Sequence, residues 1–73
     1  PTFKGKKIQE ARETVGLTRK QLADKVRRIQ GRWSRFGEHS VRNHEEGYSS
    51  PGIDTVRLYA SLLTENDINA LLG

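Results

Sequence analysis

The stretch GLTRKQLADKV, residues 16–26, decides the fold class. Gly16 is the kind of residue that ends a helix, because glycine enters the left-handed conformation without steric penalty. Thr18, followed three residues later by Gln21, has the spacing of a capping box, in which each side chain satisfies a backbone N–H at the start of a helix. The apolar residues that follow fall on one helical face: Leu22, Ala23 and Val26. The stretch therefore predicts the end of one helix and most of the next.

Helical periodicity continues on both sides of this stretch, and strand-like alternation is never sustained. We expect the first helix over residues 4–15, with Arg12 on its apolar stripe, and the second from Thr18 onward. The third helix, over residues 38–46, is polar except for Val41. The fourth carries a main apolar stripe formed by Ile53, Val56, Tyr59, Ala60 and Leu63. A second stripe, of Leu58 and Leu62, predicts that this helix is packed on two faces.

Thr64, with Asp67 three residues later, has the spacing that starts a helix. A short fifth helix is expected there, and its apolar residues are Ile68, Leu71 and Leu72. The expected fold class is all-α: a compact five-helix bundle in which residues 1–73 form a single domain. Because the sequence has no cysteine, packed side chains must stabilise this bundle without disulfides.

The chain is basic, with 13 lysines and arginines against 9 acidic residues and a formal net charge of +4. Its basic residues are clustered, which favours a polyanionic partner. No apolar run approaches the ~20 residues that span a bilayer, and no signal pattern opens the sequence, so we expect a cytoplasmic, nucleoid-associated protein without a membrane partner.

Catalysis is not expected. His39 and His44 lie five residues apart, on different sides of a helix, so they cannot hold one metal ion together. No serine has a convincing histidine and carboxylate constellation, and a chain of this size has little room for a buried cleft. The sequence indicates no cofactor, no metal and no small-molecule substrate.

One face of the predicted third helix is a row of hydrogen-bonding side chains: Glu38, His39, Arg42, Asn43 and Glu46. Arginine can bind guanine through two hydrogen bonds, asparagine can bind adenine in the same way, and glutamate can accept from the cytosine amino group. This set suits the reading of base edges in a major groove. The alternative is an ordinary solvated helix surface.

The segments IQEARETVGLTRKQLADKV, residues 8–26, and SVRNHEEGYSSPGIDTVRLYASLL, residues 40–63, favour the first interpretation. Together they resemble the lambdoid phage repressor and Cro type of helix-turn-helix domain, the XRE family. The matching residues are Gly16, Leu17, Thr18, Gln21, Leu22, Ala23, Ser40, Val41, Glu45, Gly47, Pro51 and Thr55. The resemblance implies that the third helix enters the major groove of operator DNA. It also implies a sequence-specific transcriptional regulator, acting as a repressor.

The resemblance assigns roles to individual residues. The base-contacting positions correspond to Glu38, His39, Arg42 and Asn43, four of the five residues on the polar face described above. The start of the second helix would approach phosphates through Arg19 and Lys20, although both suit an exposed first turn equally well. Tyr48 and Ser49 lie in a loop that resembles a phosphate-contacting loop, and they would also form a good turn.

Two further positions are structural. Family members often pair an arginine of the first helix with a glutamate near the end of the third, which here means Arg12 and Glu45. An unpaired charge on the apolar stripe of the first helix would be unfavourable, so sequence physics supports this ion pair. His44 stands where the family usually has a large apolar residue and is expected to be a partly buried core histidine. Tyr59 is expected in the core.

The chain departs from the family by an insertion of about eight residues, RRIQGRWS at 27–34, between the two motif helices. The second helix could continue through the insertion, or it could end at Gly31. A continued helix would end about 12 Å further along its axis, and the remaining residues could span only about 10 Å on the way back. We therefore expect an end at Gly31 and an enlarged turn with Trp33 and Phe36 tucked inward.

The arginines of the insertion would face outward. Arg28, Arg32 and Arg35 are expected to contact phosphates, which adds affinity without base readout. Alternatively they form only a solubilising rim.

Two questions about partners stay open. A homodimer could form through Leu58, Leu62, Ile68, Leu71 and Leu72, or these residues could pack only on each other. The main alternative function is an antitoxin or antirepressor-like module that uses the same fold to bind a protein.

Overall fold

The computed structural model describes residues 4–71, and every described element is helical. The elements are α1 (Gly5–Val15), α2 (Arg19–Gln30), α3 (Glu38–Glu46), α4 (Ile53–Leu63) and a 3-10 turn (Ile68–Leu71). The described chain fits within 32 × 24 × 20 Å. The all-α, compact class is confirmed, whereas a full fifth helix is not.

The expected start of the fifth helix is instead the end of α4. Thr64 donates its backbone N–H to Ala60 O at 2.9 Å, and its hydroxyl donates to the same oxygen at 3.1 Å. Glu65 and Asn66 then take positive φ angles of 53° and 70°, which no helix continues through. Thr64 therefore caps the C-terminus of α4. The predicted N-cap is wrong because the following residues turn away from helical geometry.

The predicted end of α1 and the predicted start of α2 are confirmed. Gly16 ends α1 at φ 87°, in the left-handed region that glycine tolerates. The Thr18 hydroxyl accepts a hydrogen bond from Gln21 N at 3.1 Å, and the Gln21 side chain accepts one from Thr18 N at 2.9 Å. Both halves of the capping box are formed, which fixes where α2 begins.

All four helices and the 3-10 turn contribute to one core. Its fully enclosed residues are Ile8, Leu22, Ala23, Val26, Val41, Val56, Tyr59, Ala60, Leu63 and Leu71. Leu58 and Leu62, the second stripe of α4, are half-buried and pack against this core. Ile53 lies outside it, with 60% of its surface exposed, because the first residue of α4 projects past its neighbours. The expected burial of Ile53 is wrong.

The start of α1 crosses the end of α3 at very close range. A β-carbon placed on Gly5 would collide with the backbone carbonyl oxygen of His44 and lie 2.7 Å from that of Glu45. Only glycine allows this approach. The crossing sets the position of α3 relative to α1, and the sequence alone gave no indication of it.

Candidate nucleic-acid interface

A buried ion pair ties α3 to α1. Arg12 donates from Nε to Glu45 Oε2 at 2.7 Å and from a terminal nitrogen to Glu45 Oε1 at 3.3 Å. The same guanidinium donates to the carbonyl oxygen of Leu17 at 2.8 Å. Both charged residues are buried. The predicted ion pair of Arg12 and Glu45 is confirmed. Its bidentate geometry restricts rotation of α3 about its own axis.

A second arginine joins this pair. Arg19 donates from Nε to Glu45 Oε1 at 2.9 Å, and about a quarter of its side chain remains exposed. One carboxylate therefore faces two guanidinium groups, and a net positive charge remains at this edge of α3. Arg19 was expected only to contact phosphate, and its structural contact was missed. The sequence feature that could have indicated this contact is the position of Arg19 on the other side of the short turn from Arg12.

The outer face of α3 carries the predicted base-contacting residues. Glu38, His39 and Arg42 are exposed, and Asn43 is half-buried. Together with Arg19, the first three line a shallow depression of about 330 Å³. The structure thus places the outer residues of α3 beside the exposed part of Arg19.

Only a weak contact restrains Arg42. Its Nε lies 3.6 Å from a carboxylate oxygen of Glu46, and both side chains are about half exposed. Exposed pairs of this kind contribute roughly 0–1 kcal/mol. The guanidinium can therefore exchange Glu46 for another acceptor at little energetic expense.

The opposite face of α3 is held by an aromatic cluster. His44 Nδ1 lies 2.7 Å from the hydroxyl of Tyr59, and the Phe36 ring packs about 6 Å from both rings. Burial lowers the pKa of His44 below 6.5. Burial, followed by the nearby Glu45 carboxylate, raises the pKa of Tyr59 well above 10. The expected core positions of His44, Tyr59 and Phe36 are confirmed.

The connection between α2 and α3 is the predicted enlarged turn. The helix continues to Gln30 and ends at Gly31, whose φ is 103°. Ser34 then donates from its backbone to Gly31 O at 3.1 Å, and its hydroxyl accepts from Phe36 N at 3.1 Å. These contacts confirm that the helix ends at Gly31 and that the remaining residues return to α3.

The expected inward position of Trp33 is wrong. The indole is 87% exposed, and Ile29 on the last turn of α2 is 54% exposed. Val26 is the last buried residue of α2, so the final turn extends past the core and offers Trp33 nothing to pack against. Phe36 occupies the inward position by itself. The Trp33 ring lies next to the Arg32 guanidinium, with 5.5 Å between the arginine ζ-carbon and the ring centroid.

The arginines of the enlarged turn face outward, as expected. Arg28, Arg32 and Arg35 are exposed, and Arg27 is paired with Asp24 one helical turn away. The end of α2 and the start of the turn enclose an open groove of about 550 Å³. Its walls are Asp24, Arg27, Arg28, Gly31, Arg32 and Ser34.

The remaining predicted phosphate contacts are also on the surface. Lys20 is exposed on the first turn of α2, and Tyr48 and Ser49 are exposed after α3. The backbone N–H groups of Tyr48 and Ser49 both donate to Asn43 O, at 2.9 and 3.3 Å. These N–H groups therefore cap α3, and only the hydroxyls of the two residues are available to a ligand.

The residues proposed for a homodimer lie in different environments. Leu71 is fully buried in the core, which for this residue favours the second alternative, packing within the chain. Leu58, Leu62 and Ile68 are half-buried against the core. Leu72 lies outside the described residues.

No significant match to the chain is found among models of known families, curated proteins or solved structures. Within residues 4–71, no helix has the length and apolar character needed to cross a membrane. No three histidine or acidic residues of that part of the chain lie close enough together to hold a metal ion.

Proposed function

We propose that the chain is a sequence-specific binding domain for double-stranded DNA that regulates transcription, acting as a repressor on operator DNA. In this proposal α2 and α3 form a helix-turn-helix motif with an enlarged turn, and α3 enters the major groove. The domain carries out no catalysis and needs no cofactor.

The observation that carries the proposal is the contrast between the two sides of α3. Its inner side is fixed by Val41, by the Arg12 and Arg19 contacts to Glu45, and by the His44 cluster. Its outer side presents only polar groups with donor and acceptor atoms that match base edges. A helix held rigidly by one face and polar on the other can bring side chains to bases in a fixed register.

Charge supports the same partner. The formal net charge is +4, and exposed arginines flank both ends of the connection between α2 and α3. In the proposal Arg28, Arg32, Arg35 and Lys20 contact phosphates, whereas Arg19 contributes through the part of its side chain that Glu45 does not occupy. Such contacts position the domain and make its affinity fall with salt.

A single α3 can read only a few base pairs, so we propose that two copies bind one operator. Half-sites one helical turn apart would be separated by about 34 Å. Leu58, Leu62 and Ile68 are the described residues that remain available for contact between the copies.

Selection of bound sequences from random duplex DNA tests the proposal. The wild-type protein should enrich a defined sequence, and Asn43→Ala should lose its preference at one base position, weakening operator binding by about 1–3 kcal/mol. Asn69→Ala is the matched control, because Asn69 is exposed on the 3-10 turn. Enrichment of no sequence by the wild type would contradict the proposal.

The exposed Trp33 and Ile29 favour one alternative, a module that binds a protein as an antitoxin or antirepressor does. Tryptophan and arginine are common anchors of protein interfaces. Such a module would fail to select DNA and would co-purify stoichiometrically with one protein from its host.

A further inference from the structure

Trp33 is the feature that major-groove reading by α3 does not explain. It is the only tryptophan of the chain, it is 87% exposed, and its ring lies beside the Arg32 guanidinium. Tryptophan is among the residues that contribute most often to binding interfaces. Its exposure is therefore expected to serve binding.

The surroundings of Trp33 restrict what it can bind. The adjacent groove of about 550 Å³ lies within the ~300–1,000 Å³ typical of ligand clefts, so it has room for a nucleotide unit of a strand. Asp24 is the acidic residue on its walls and is already paired with Arg27. The charges of Arg28 and Arg32 are left to attract an anion. A positively charged groove whose lining includes Arg32 and Ser34, the two chain neighbours of the exposed ring, suits a sugar-phosphate strand.

The position of the turn restricts which strand is in reach. Trp33 stands four residues before Gly37, the residue that caps the N-terminus of α3, so the two α-carbons are at most about 14 Å apart. The major groove is about 12 Å wide. A helix seated in it therefore has the flanking backbone within reach of the turn.

We propose that the enlarged turn is a second DNA-contacting element, in which Arg28 and Arg32 bind phosphates of one strand and the Trp33 ring packs on the adjacent deoxyribose. This inference rests on the proposed binding of duplex DNA. It assigns to the insertion a contribution to affinity that is the same for every sequence, because sugars and phosphates carry no base identity. In the free domain the Arg32 guanidinium lies beside the ring, with 5.5 Å between its ζ-carbon and the ring centroid.

Trp33 fluorescence tests the contact directly, because no other tryptophan contributes to the signal. Titration with a fluorescently labelled duplex gives binding by anisotropy, and acrylamide quenching of Trp33 gives its accessibility in the same complex. At saturating duplex, quenching should fall several-fold relative to the free protein. Trp33→Ala should weaken binding to selected and unrelated duplexes alike, by roughly tenfold.

The arginines are tested by salt dependence. The double variant Arg28→Gln, Arg32→Gln should lower the slope of log affinity against log salt by about 2, since each phosphate contact contributes roughly 0.9. Arg57→Gln is the charge-matched control. It lies on α4 beside the 3-10 turn and should leave the slope unchanged. An unchanged slope in the double variant would remove the arginines from the contact.

Other results of the binding and quenching experiments would contradict the proposed contact of Trp33 with duplex DNA. Duplex binding with Trp33 still fully quenchable would overturn this inference and leave the proposed function intact. Stronger protection by single-stranded DNA than by duplex would assign the ring to unpaired bases instead. Protection of Trp33 in the free protein that disappears on dilution would assign it to a second copy of the chain. Absence of any DNA binding would overturn the inference together with the proposed function.

Discussion

The two connections that flank α2 show how the length of a turn decides what its side chains do. In the short turn at 16–18, Gly16 and Leu17 donate their N–H groups to Arg12 O, and Leu17 O accepts from the Arg12 guanidinium. In the enlarged turn at 31–37, Phe36 packs on the core while Trp33 and its neighbouring arginines face solvent. The short turn is closed by hydrogen bonds to α1, whereas the long one packs Phe36 on the core and leaves Arg32, Trp33 and Arg35 exposed.

The largest effect is expected at the carboxylate beside the short turn. Glu45→Ala removes the carboxylate that pairs with the buried Arg12, and loss of one member of a buried pair destabilises by about 3–5 kcal/mol. Urea unfolding followed by circular dichroism measures the change. Glu46→Ala is the matched control, because Glu46 is exposed and only weakly paired with Arg42. Equal effects of the two variants would show that the buried contacts do not stabilise α3.

The next largest effect is expected at the anchor of the enlarged turn. Phe36→Ala removes a half-buried ring from His44 and Tyr59 and should destabilise the fold by about 2 kcal/mol, less than a fully buried phenylalanine. The same urea unfolding experiment measures it. A decrease in the free energy of unfolding smaller than that of an ordinary surface substitution would mean that the turn is not anchored through Phe36.

Lowering the pH should weaken the fold through the same cluster. Because burial lowers the pKa of His44 in the folded state, the unfolded chain binds its proton more readily. The stability that neutral His44 contributes is present above about pH 6.5 and is lost as the pH falls below that value. Urea unfolding at pH 7.5 and at pH 5 measures this loss. His44→Gln should reduce the pH dependence, whereas His39→Gln should retain it, since His39 is exposed.

The smallest effect on stability is expected at Trp33. Trp33→Ala should change the free energy of unfolding by less than about 0.5 kcal/mol, as exposed residues usually do. Phe36 and Trp33 belong to the same turn, yet only Phe36 packs on the core. A loss for Trp33→Ala as large as that for Phe36→Ala would show that the ring stabilises the folded chain.

The sequence predicts the parts of the structure that depend on local spacing or on one strong energetic requirement. The capping box of Thr18 and Gln21 is local. The penalty for an unpaired charge on an apolar stripe predicts that Arg12 has a partner, and the family resemblance is what implies Glu45. Gly31 ends α2, as glycine commonly does at the C-terminus of a helix. The capping box and the helix end depend on residues within one or two turns of chain, where residue type decides the outcome, whereas Arg12 and Glu45 are 33 residues apart.

Other features depend on distances that the sequence does not contain. The contact of Arg19 with Glu45 requires knowing how closely the start of α2 approaches α3. The need for glycine at position 5 arises from the crossing of α1 and α3. Trp33 was expected inside because large rings usually are, yet burial requires a neighbour, and α2 extends beyond its neighbours there. The exposure of the polar face of α3 was predictable from the sequence, whereas that of Trp33 was not.

The central claim is that α3 supplies sequence preference and the enlarged turn supplies affinity for any sequence. The most direct test is the ratio of dissociation constants for an unrelated duplex and the selected operator, measured by anisotropy at one salt concentration. The account predicts that Asn43→Ala lowers this ratio, whereas Trp33→Ala weakens both affinities and leaves the ratio unchanged. A wild-type ratio near 1, or a ratio lowered by Trp33→Ala and not by Asn43→Ala, would contradict it.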